Sequence, residues 1–515
     1  ATLTLTMSSL RGLTLAFTAA AIIALAVSPA GGAPERLVFH DIQVDAAGGI
    51  LPWYSPKPSV AYDHAIRAVW RFWQAMPMCP NDVRYFMQHQ VWKPAAEDPR
   101  GLGGDQLAMA LSSWNLLHGY LGDPAIVANM RYVADYYLAH GLSPPASKWP
   151  HLPFPYNVDV HSGTFDGDMR AGRGFLQPDK AGSFGAELVT LAKVTGDTRY
   201  LAAAARMADT LAAQAVAGDA EHSPWPYRVH VDGTTGPADP KTWTTYTANW
   251  TGALRLFEAL KPFGRGETAQ HDRAHALVTA WLAAYPMRTN NWGPFFEDIV
   301  EYSNTAINAG TMAQYLLEEP RRDPEWQAHT RGILDWVERS FANDEFTAFG
   351  VTPINEQTAY KVPGNSHTAR HAALELMYAA RTGVWSRKDQ QIRRLNWATY
   401  MVDADGRNQY PRDDVWLTDG YGDYVRHYLR AMAASPDLAP DDQNHLLDTS
   451  SVIQAIQYTP DRITYTKFDA VSIDHLKLGA WTPGLVTGGL LRWDRGTRVA
   501  EIAAGSTSVT IERAR

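Results

Sequence analysis

Apolar residues recur along most of the chain at the spacing of a buried helix face. Leu107, Ala110, Leu111, Trp114 and Leu117 follow one another at three- and four-residue intervals, which places them on one side of a helix. Gly122-Asp123-Pro124 then breaks the pattern, and Met130, Val133, Ala134, Tyr137 and Leu138 begin it again. Glycine ends a helix well, aspartate caps the next, and proline fits its first turn. The plan returns with Leu188, Leu191 and Val194, a Thr195-Gly196-Asp197 turn, then Leu201, Ala204, Ala208 and Leu211. Further pairs are expected at Trp250–Phe263 with Ala274–Tyr285, Thr305–Leu317 with Gln327–Phe341, and Thr368–Thr382 with Lys388–Val402. A last pair is expected at Gly422–Ala434 with Leu438–Gln457, while a helix near Tyr62–Gln74 reads as a cap or part of another pair.

Connections within pairs are short and those between pairs are long: Gly141–Ala181, Gly218–Thr244, Pro286–Tyr302, Asn343–Asn365 and Asp403–Asp419. In an up-down helix series alternate connections lie at opposite ends, so the long ones should share one rim. Helices that follow them start with small residues, as in Gly182-Ser183 and Thr251-Gly252-Ala253, which allows close convergence in an inner ring. From Arg462 the pattern changes to short alternating runs such as Ile463, Tyr465, Val499–Ile502 and Ser508–Ile511, broken by glycines. The expected organisation is a helical toroid over 34–458 and a small β-rich domain over 459–515.

The six helix pairs and their Gly-Asp turns, as in Thr195-Gly196-Asp197-Thr198-Arg199-Tyr200-Leu201, resemble the six-hairpin (α/α)6 toroids of carbohydrate-active enzymes. Glycoside hydrolases and polysaccharide lyases use this architecture. The resemblance covers about residues 60–458 and implies an all-α toroid fold with a glycan substrate. It is architectural, and no family's catalytic motif is matched.

The first residues read as an export signal: Arg11, an apolar run from Leu13 to Val27, then small residues to Ala33. That run is shorter than the roughly twenty residues of a membrane span. The reading gives residues 1–33 as a signal peptide, a periplasmic or extracellular location, and a mature protein with no membrane span. Cys79 is the single cysteine, so no internal disulfide forms. A net charge of −8 disfavours nucleic acid or another polyanion bound through a general basic surface.

The 18 Trp and 23 Tyr matter because rings suit sugar faces, and many of them fall in the long connections. The first connection carries Trp149, Tyr156, His161, Asp166, Asp168 and Arg170 as substrate contacts, with Asp179 and Lys180 nearby. Asp166-Gly167-Asp168 could alternatively hold calcium, or simply order its turn; no other cofactor is indicated. Trp292, Asp298, Glu301 and Tyr302 end the third connection, where carboxylates would serve as acid or base or merely cap a helix. Asn365, His367, Arg370 and His371 open another inner helix. The two histidines share a face, but no HExxH pattern or third zinc ligand accompanies them. Trp416, Asp419 and Tyr421 mark the last rim segment.

The expected function is a glycoside hydrolase with two carboxylates across a rim cleft, Asp298 or Glu301 against Asp419, with His367 as a further catalytic candidate. A lyase would instead neutralise a uronate with Asn365 or Arg370 and draw the C5 proton with His367 or Tyr302. A non-catalytic glycan-binding protein is the third alternative. No P-loop, dinucleotide fingerprint, Gly-x-Ser-x-Gly elbow or Asp-x-Asp-Asp run is present.

Overall fold

In the computed structural model the described residues are 36–515, except 77, 79–81, 85–86, 88–104, 160–161, 169, 236–244, 296–301, 410 and 412–422. The expected export signal, residues 1–33, lies outside them.

Thirteen helices run through the described residues, one of them a single turn. They are α1 (Pro58–Ala75), α2 (Asp105–Leu121), α3 (Pro124–His140), α4 (Pro178–Thr195), α5 (Thr198–Gln214), α6 (Thr251–Leu260), α7 (Thr268–Ala284), the one-turn α8 (Pro286–Thr289), α9 (Ala306–Glu318), α10 (Trp326–Phe341), α11 (Asn365–Thr382), α12 (Lys388–Thr399) and α13 (Asp423–Ala434). Packing sorts them into two rings. Helices α2, α4, α6, α9, α11 and α13 touch in that order and α13 returns to α2, closing an inner ring. Outside it, α3, α5, α7, α10 and α12 each pack on the inner helix that precedes them.

The sixth pair differs from the expectation. The segment after α13 is not helical; α1 from the far end of the chain packs on α12 and α13 and supplies the missing outer helix. Leu438–Gln457 instead holds a 3-10 turn and two strands. The misleading signal has a physical source. A bulge between Ile453 and Ala455 puts Ile453 and Ile456, three residues apart, on one face of a strand, which mimics helical spacing.

Short turns form as their residues dictate. Gly196 takes φ 72°, and Asp197 caps α5 by accepting the Arg199 amide at 2.9 Å. Asp123 caps α3 in the same way and also accepts the Trp70 indole N–H at 2.9 Å, tying α1 to the α2–α3 turn. Small residues act where α4 meets α6. A Cβ on Gly182 would lie 2.6 Å from the Ala253 amide nitrogen, and one on Gly252 would lie 2.7 Å from the Ser183 Cα.

Every long connection leads into the N-terminus of an inner helix, and neighbouring connections join around the rim. Strands β1 (Arg36–Leu37) and β2 (His40–Asp41) pair near the start of the described chain. Strands β3 (Gly167–Asp168) and β4 (Gly172–Arg173) make a hairpin in the α3–α4 connection, and β5 (Phe175–Leu176) pairs with β6 (Val229–His230) of the next one. The Ala248 amide then donates to Trp292 O, and the Thr358 amide to Asn304 O, linking the following connections.

Eight strands complete the chain: β7 (His445–Asp448), β8 (Ile453–Tyr458), β9 (Arg462–Lys467), β10 (Asp474–Lys477), β11 (Pro483–Thr487), β12 (Leu490–Asp494), β13 (Val499–Ile502) and β14 (Ser508–Arg513). They form two antiparallel sheets, ordered β12-β13-β10-β7 and β11-β14-β9-β8, around a core of Ile463, Leu476, Ile502 and Ile511. This β-region lies against the C-terminal ends of inner helices, opposite the long connections. Tyr458 donates its hydroxyl to Gly119 O, and Gln454 Nε2 donates to Lys193 O at 3.0 Å.

Candidate functional site at the rim

The inner helices α4, α6, α9 and α11 begin with or just after polar residues that the ring buries. A helix start leaves backbone N–H groups unpaired and carries partial positive charge, so acceptors gather there naturally. In α4 the Asp179 carboxylate accepts from Lys180 Nζ and from Asn249 Nδ2, both at 2.8 Å, and neither Asp179 nor Lys180 is more than 1% exposed. Lys180 also donates to Phe295 O at 3.0 Å and sits 3.7 Å above the Phe295 ring, so its charge is well compensated. Asn308 in α9 donates to Trp292 O at 2.9 Å and to Pro294 O at 3.1 Å, shaping the connection that carries Phe295.

The start of α11 brings together three of the candidates that the sequence singles out, Asn365, His367 and Arg370. Asn365 donates to Asn408 Oδ1 of the adjacent connection and accepts the Ser366 amide at 2.8 Å. His367 Nε2 stands 3.9 Å from Glu356 Oε2, and Arg370 Nε donates to His427 Nε2 of α13 at 3.3 Å. These residues are all at least nine-tenths buried. Tyr302 is half-buried and donates to Asn291 Oδ1, and burial pushes its phenol up to about 12.

Other candidates take different positions. His371 faces away from this group, into an ion network behind the ring, with Glu338 at 3.1 Å and Glu375 at 3.8 Å. Burial pulls its pKa down, opposed by the Glu338 hydrogen bond. Trp149, Tyr156 and Trp292 are 5%, 1% and 0% exposed. Reading them as open sugar platforms is therefore corrected: these rings are interior and hold the connections in place. Asp168 is also fully buried. It accepts from Arg228 Nε at 2.9 Å, from Gln177 Nε2, and from the Arg170 and Ala171 amides at 2.8 Å. Asp166 accepts the Val158 amide at 2.9 Å and pairs with Arg173. The two aspartates thus order the hairpin of the α3–α4 connection. Among the described residues no group of three or more His, Cys, Asp or Glu side chains is arranged to hold a metal ion. Arg170 is exposed. His161, Asp298, Glu301, Trp416, Asp419 and Tyr421 lie outside the described residues.

Sequence reasoning missed Glu356, Asn249 and His427, which come from three separate segments. None belongs to a spaced motif. Their only signal is a polar residue next to, or inside, a helix that the ring surrounds.

No family model matches the chain, and no curated protein matches it in sequence. Its fold is similar to solved structures. A sugar epimerase from a ruminal bacterium superposes with a TM-score of 0.54 at 11% identity, over 73% of this chain and 98% of that one. Cellobiose 2-epimerase from Spirochaeta thermophila gives 0.52 at 13% identity, over 73% and 96%. A D-mannose isomerase gives 0.53 at 10% identity, over 74% and 99%. The expected resemblance to (α/α)6 toroids is borne out at the level of fold: a double helical ring carrying a small C-terminal β-region. Among the described residues no helix is long and apolar enough to cross a membrane.

Proposed function

We propose that this protein is a carbohydrate-active enzyme whose chemistry takes place at the long-connection rim, and that it is a glycoside hydrolase. The supporting observation is the buried polar layer at the inner-helix starts. Burying unneeded polar groups is unfavourable, and a purely structural ring would fill that layer with apolar side chains. Here Glu356 of a connection stands beside His367 of α11, and Arg370 of α11 meets His427 of α13. We assign Asp298 or Glu301 together with Asp419, which lie outside the described residues, as the two carboxylates. One would protonate the leaving oxygen and the other would activate water or attack the sugar carbon. The export reading fits a substrate met outside the cytoplasm.

A second reading is proton transfer at a sugar carbon, as an epimerase or isomerase. Two observations favour it: the similar structures named above carry those activities, and His367 stands beside Glu356 as a base and its orienting carboxylate would. Incubation with a panel of oligosaccharides, monosaccharides and uronate polymers separates the readings. New reducing ends mean hydrolysis, and absorbance near 230 nm without them means elimination. An isomeric product with solvent deuterium at carbon means epimerisation or isomerisation. For the hydrolase, Glu301→Gln and Asp419→Asn should each lower kcat by at least about a hundredfold. Full turnover in both variants would remove the assignment, and saturable sugar binding without any turnover would make the protein a glycan-binding one.

A further inference from the structure

Beneath the rim layer, and meeting it at Asn249 and Phe295, the ring encloses a further space. Met109 of α2, Phe295 of the α8–α9 connection and Ile307 of α9 pack together as a small apolar cluster of their own. Helices α2 and α9 stand on opposite sides of the inner ring, so this cluster bridges its axis. Below it lies a cavity of about 410 Å³ between α2, α4, α6, α9 and α13, bordered at the far end by Ser450 of the β7–β8 turn. Small-molecule sites fall at about 300–1,000 Å³.

Burial shows from which side this cavity is reached. Lining residues near the rim, among them Ala108, Asn249 and Thr251, are buried. Ser183, beside Gly252, and Ser112 and Glu187 further in are partly exposed, and Glu318 and Ser450 at the β-region end are exposed. The opening therefore faces the β-region, away from the rim.

The wall is largely polar. Glu187 of α4 looks into the space with no hydrogen-bond or ion-pair partner among the described residues, whereas Glu318 of α9 is paired with Arg255 of α6 at 2.9 Å. Arg426 and Arg430 of α13 complete the charged lining, and Ser112 and Asn115 of α2 are among its uncharged polar residues. A guanidinium has five N–H donors, so an arginine that already has one partner can still donate to a ligand.

We infer that this axial cavity is a second binding site, entered from the β-region end, for a small hydroxyl-bearing carboxylate such as a sugar acid. The arginines would take the carboxylate, the hydroxyl and amide side chains the sugar hydroxyls, and Glu187 would donate a hydrogen bond. Burial pushes the Glu187 carboxyl up, and Arg426, Arg255 and Arg430 only partly oppose it while Glu318 adds to it, leaving it at about 7. Glu318, which burial would also raise, is held below the usual carboxylate range by Arg255, Arg430 and Gln314. A Glu187 carrying its proton tolerates an anion beside it; ionised, it repels one. This site stands whether or not the rim chemistry is hydrolysis.

The test is calorimetric titration of the full chain with D-glucuronate, with D-glucose as the uncharged comparison. Saturable D-glucuronate binding is expected, stronger than that of D-glucose and falling about fivefold between pH 7 and pH 8 as Glu187 ionises. Glu187→Gln, which keeps size and hydrogen bonding, should bind D-glucuronate with that pH dependence gone. Thr190→Trp, which fills the cavity from α4, should abolish binding while leaving any rim activity intact. The inference is overturned if D-glucuronate gives no saturable heat in the wild type, which would leave a water-filled space. It is equally overturned if D-glucose binds as well, if the pH dependence persists in Glu187→Gln, or if binding survives in a folded Thr190→Trp.

Discussion

Asp168 shows how a residue chosen for chemistry turns out to serve the fold. Its carboxylate is the common acceptor for Arg228, Gln177 and two amides, with no exposed surface. Burial would raise its pKa, but Arg228 and the other donors outweigh that and hold it below its ordinary 3.8. Removing the carboxylate leaves the Arg228 guanidinium, itself 2% exposed, without its counter-charge. Asp168→Ala should therefore cost about 3–5 kcal/mol in denaturant unfolding, as breaking a buried pair does. The sign with pH follows from the depressed folded pKa: the Asp168 contribution is complete above the unfolded value near 3.8 and fades as pH falls through the lower, folded one. Wild type and Asp168→Ala should therefore converge in stability only in acid. A gap that stays constant from pH 7 to well below 3.8 would contradict this account of the carboxylate. The sequence displayed the aspartate in an Asp-Gly-Asp run, but only the chain's course brings Arg228 to it. Glu187 makes the opposite point. One acid among Leu188, Val189 and Leu191 reads as the polar side of a surface helix, unless α4 is already known to be surrounded.

Helix pairs were the most legible level, because each carries its own punctuation. Where α4 and α6 touch, the small residues predicted to permit convergence do so: Gly182 faces Ala253, and Gly252 faces Ser183. Gly252→Ala pushes a methyl into the Ser183 hydroxyl and also into the Ser183 Cα and amide nitrogen, which cannot turn aside, so helix separation must grow. A loss of about 1–3 kcal/mol in thermal or denaturant unfolding is expected. Gly332→Ala, at a site where a Cβ meets nothing within 4 Å, serves as the control and should be neutral or slightly stabilising. Caps were equally readable. Asp123→Ala should cost about 1 kcal/mol for the lost α3 cap, with more for the released Trp70 indole. The segment misread was the one that holds β7 and β8, where in β8 a bulge disguised a strand as a helix. Periodicity reports which residues share a face, and a bulged strand can reproduce the helical answer over a single interval.

At the scale of the whole molecule the ring closes across the chain rather than along it. No local signal identifies α1 as the outer partner of α13, since their pairing spans the full sequence. Its consequences for stability are nevertheless specific. Helix α1 buries Tyr62, Ile66, Val69 and Trp73, and Tyr62 donates to Asn396 Oδ1 of α12 at 2.6 Å while packing on Tyr428 of α13. Trp73 meets Trp114 of α2 edge to face with ring centres 4.7 Å apart. One helix thus holds the last inner helix against the first, which makes it the clasp of a closed ring. Trp73→Ala should lower stability by about 3–5 kcal/mol, as truncating a buried Trp does. The further expectation is that the loss propagates around the ring. Amides of α13 and α2 should gain hydrogen-exchange rate together with those of α1, because a ring opened at one joint frees both of its ends. Protection lost in α1 alone, with α2 and α13 exchanging as in the wild type, would mean that the inner helices close without their clasp.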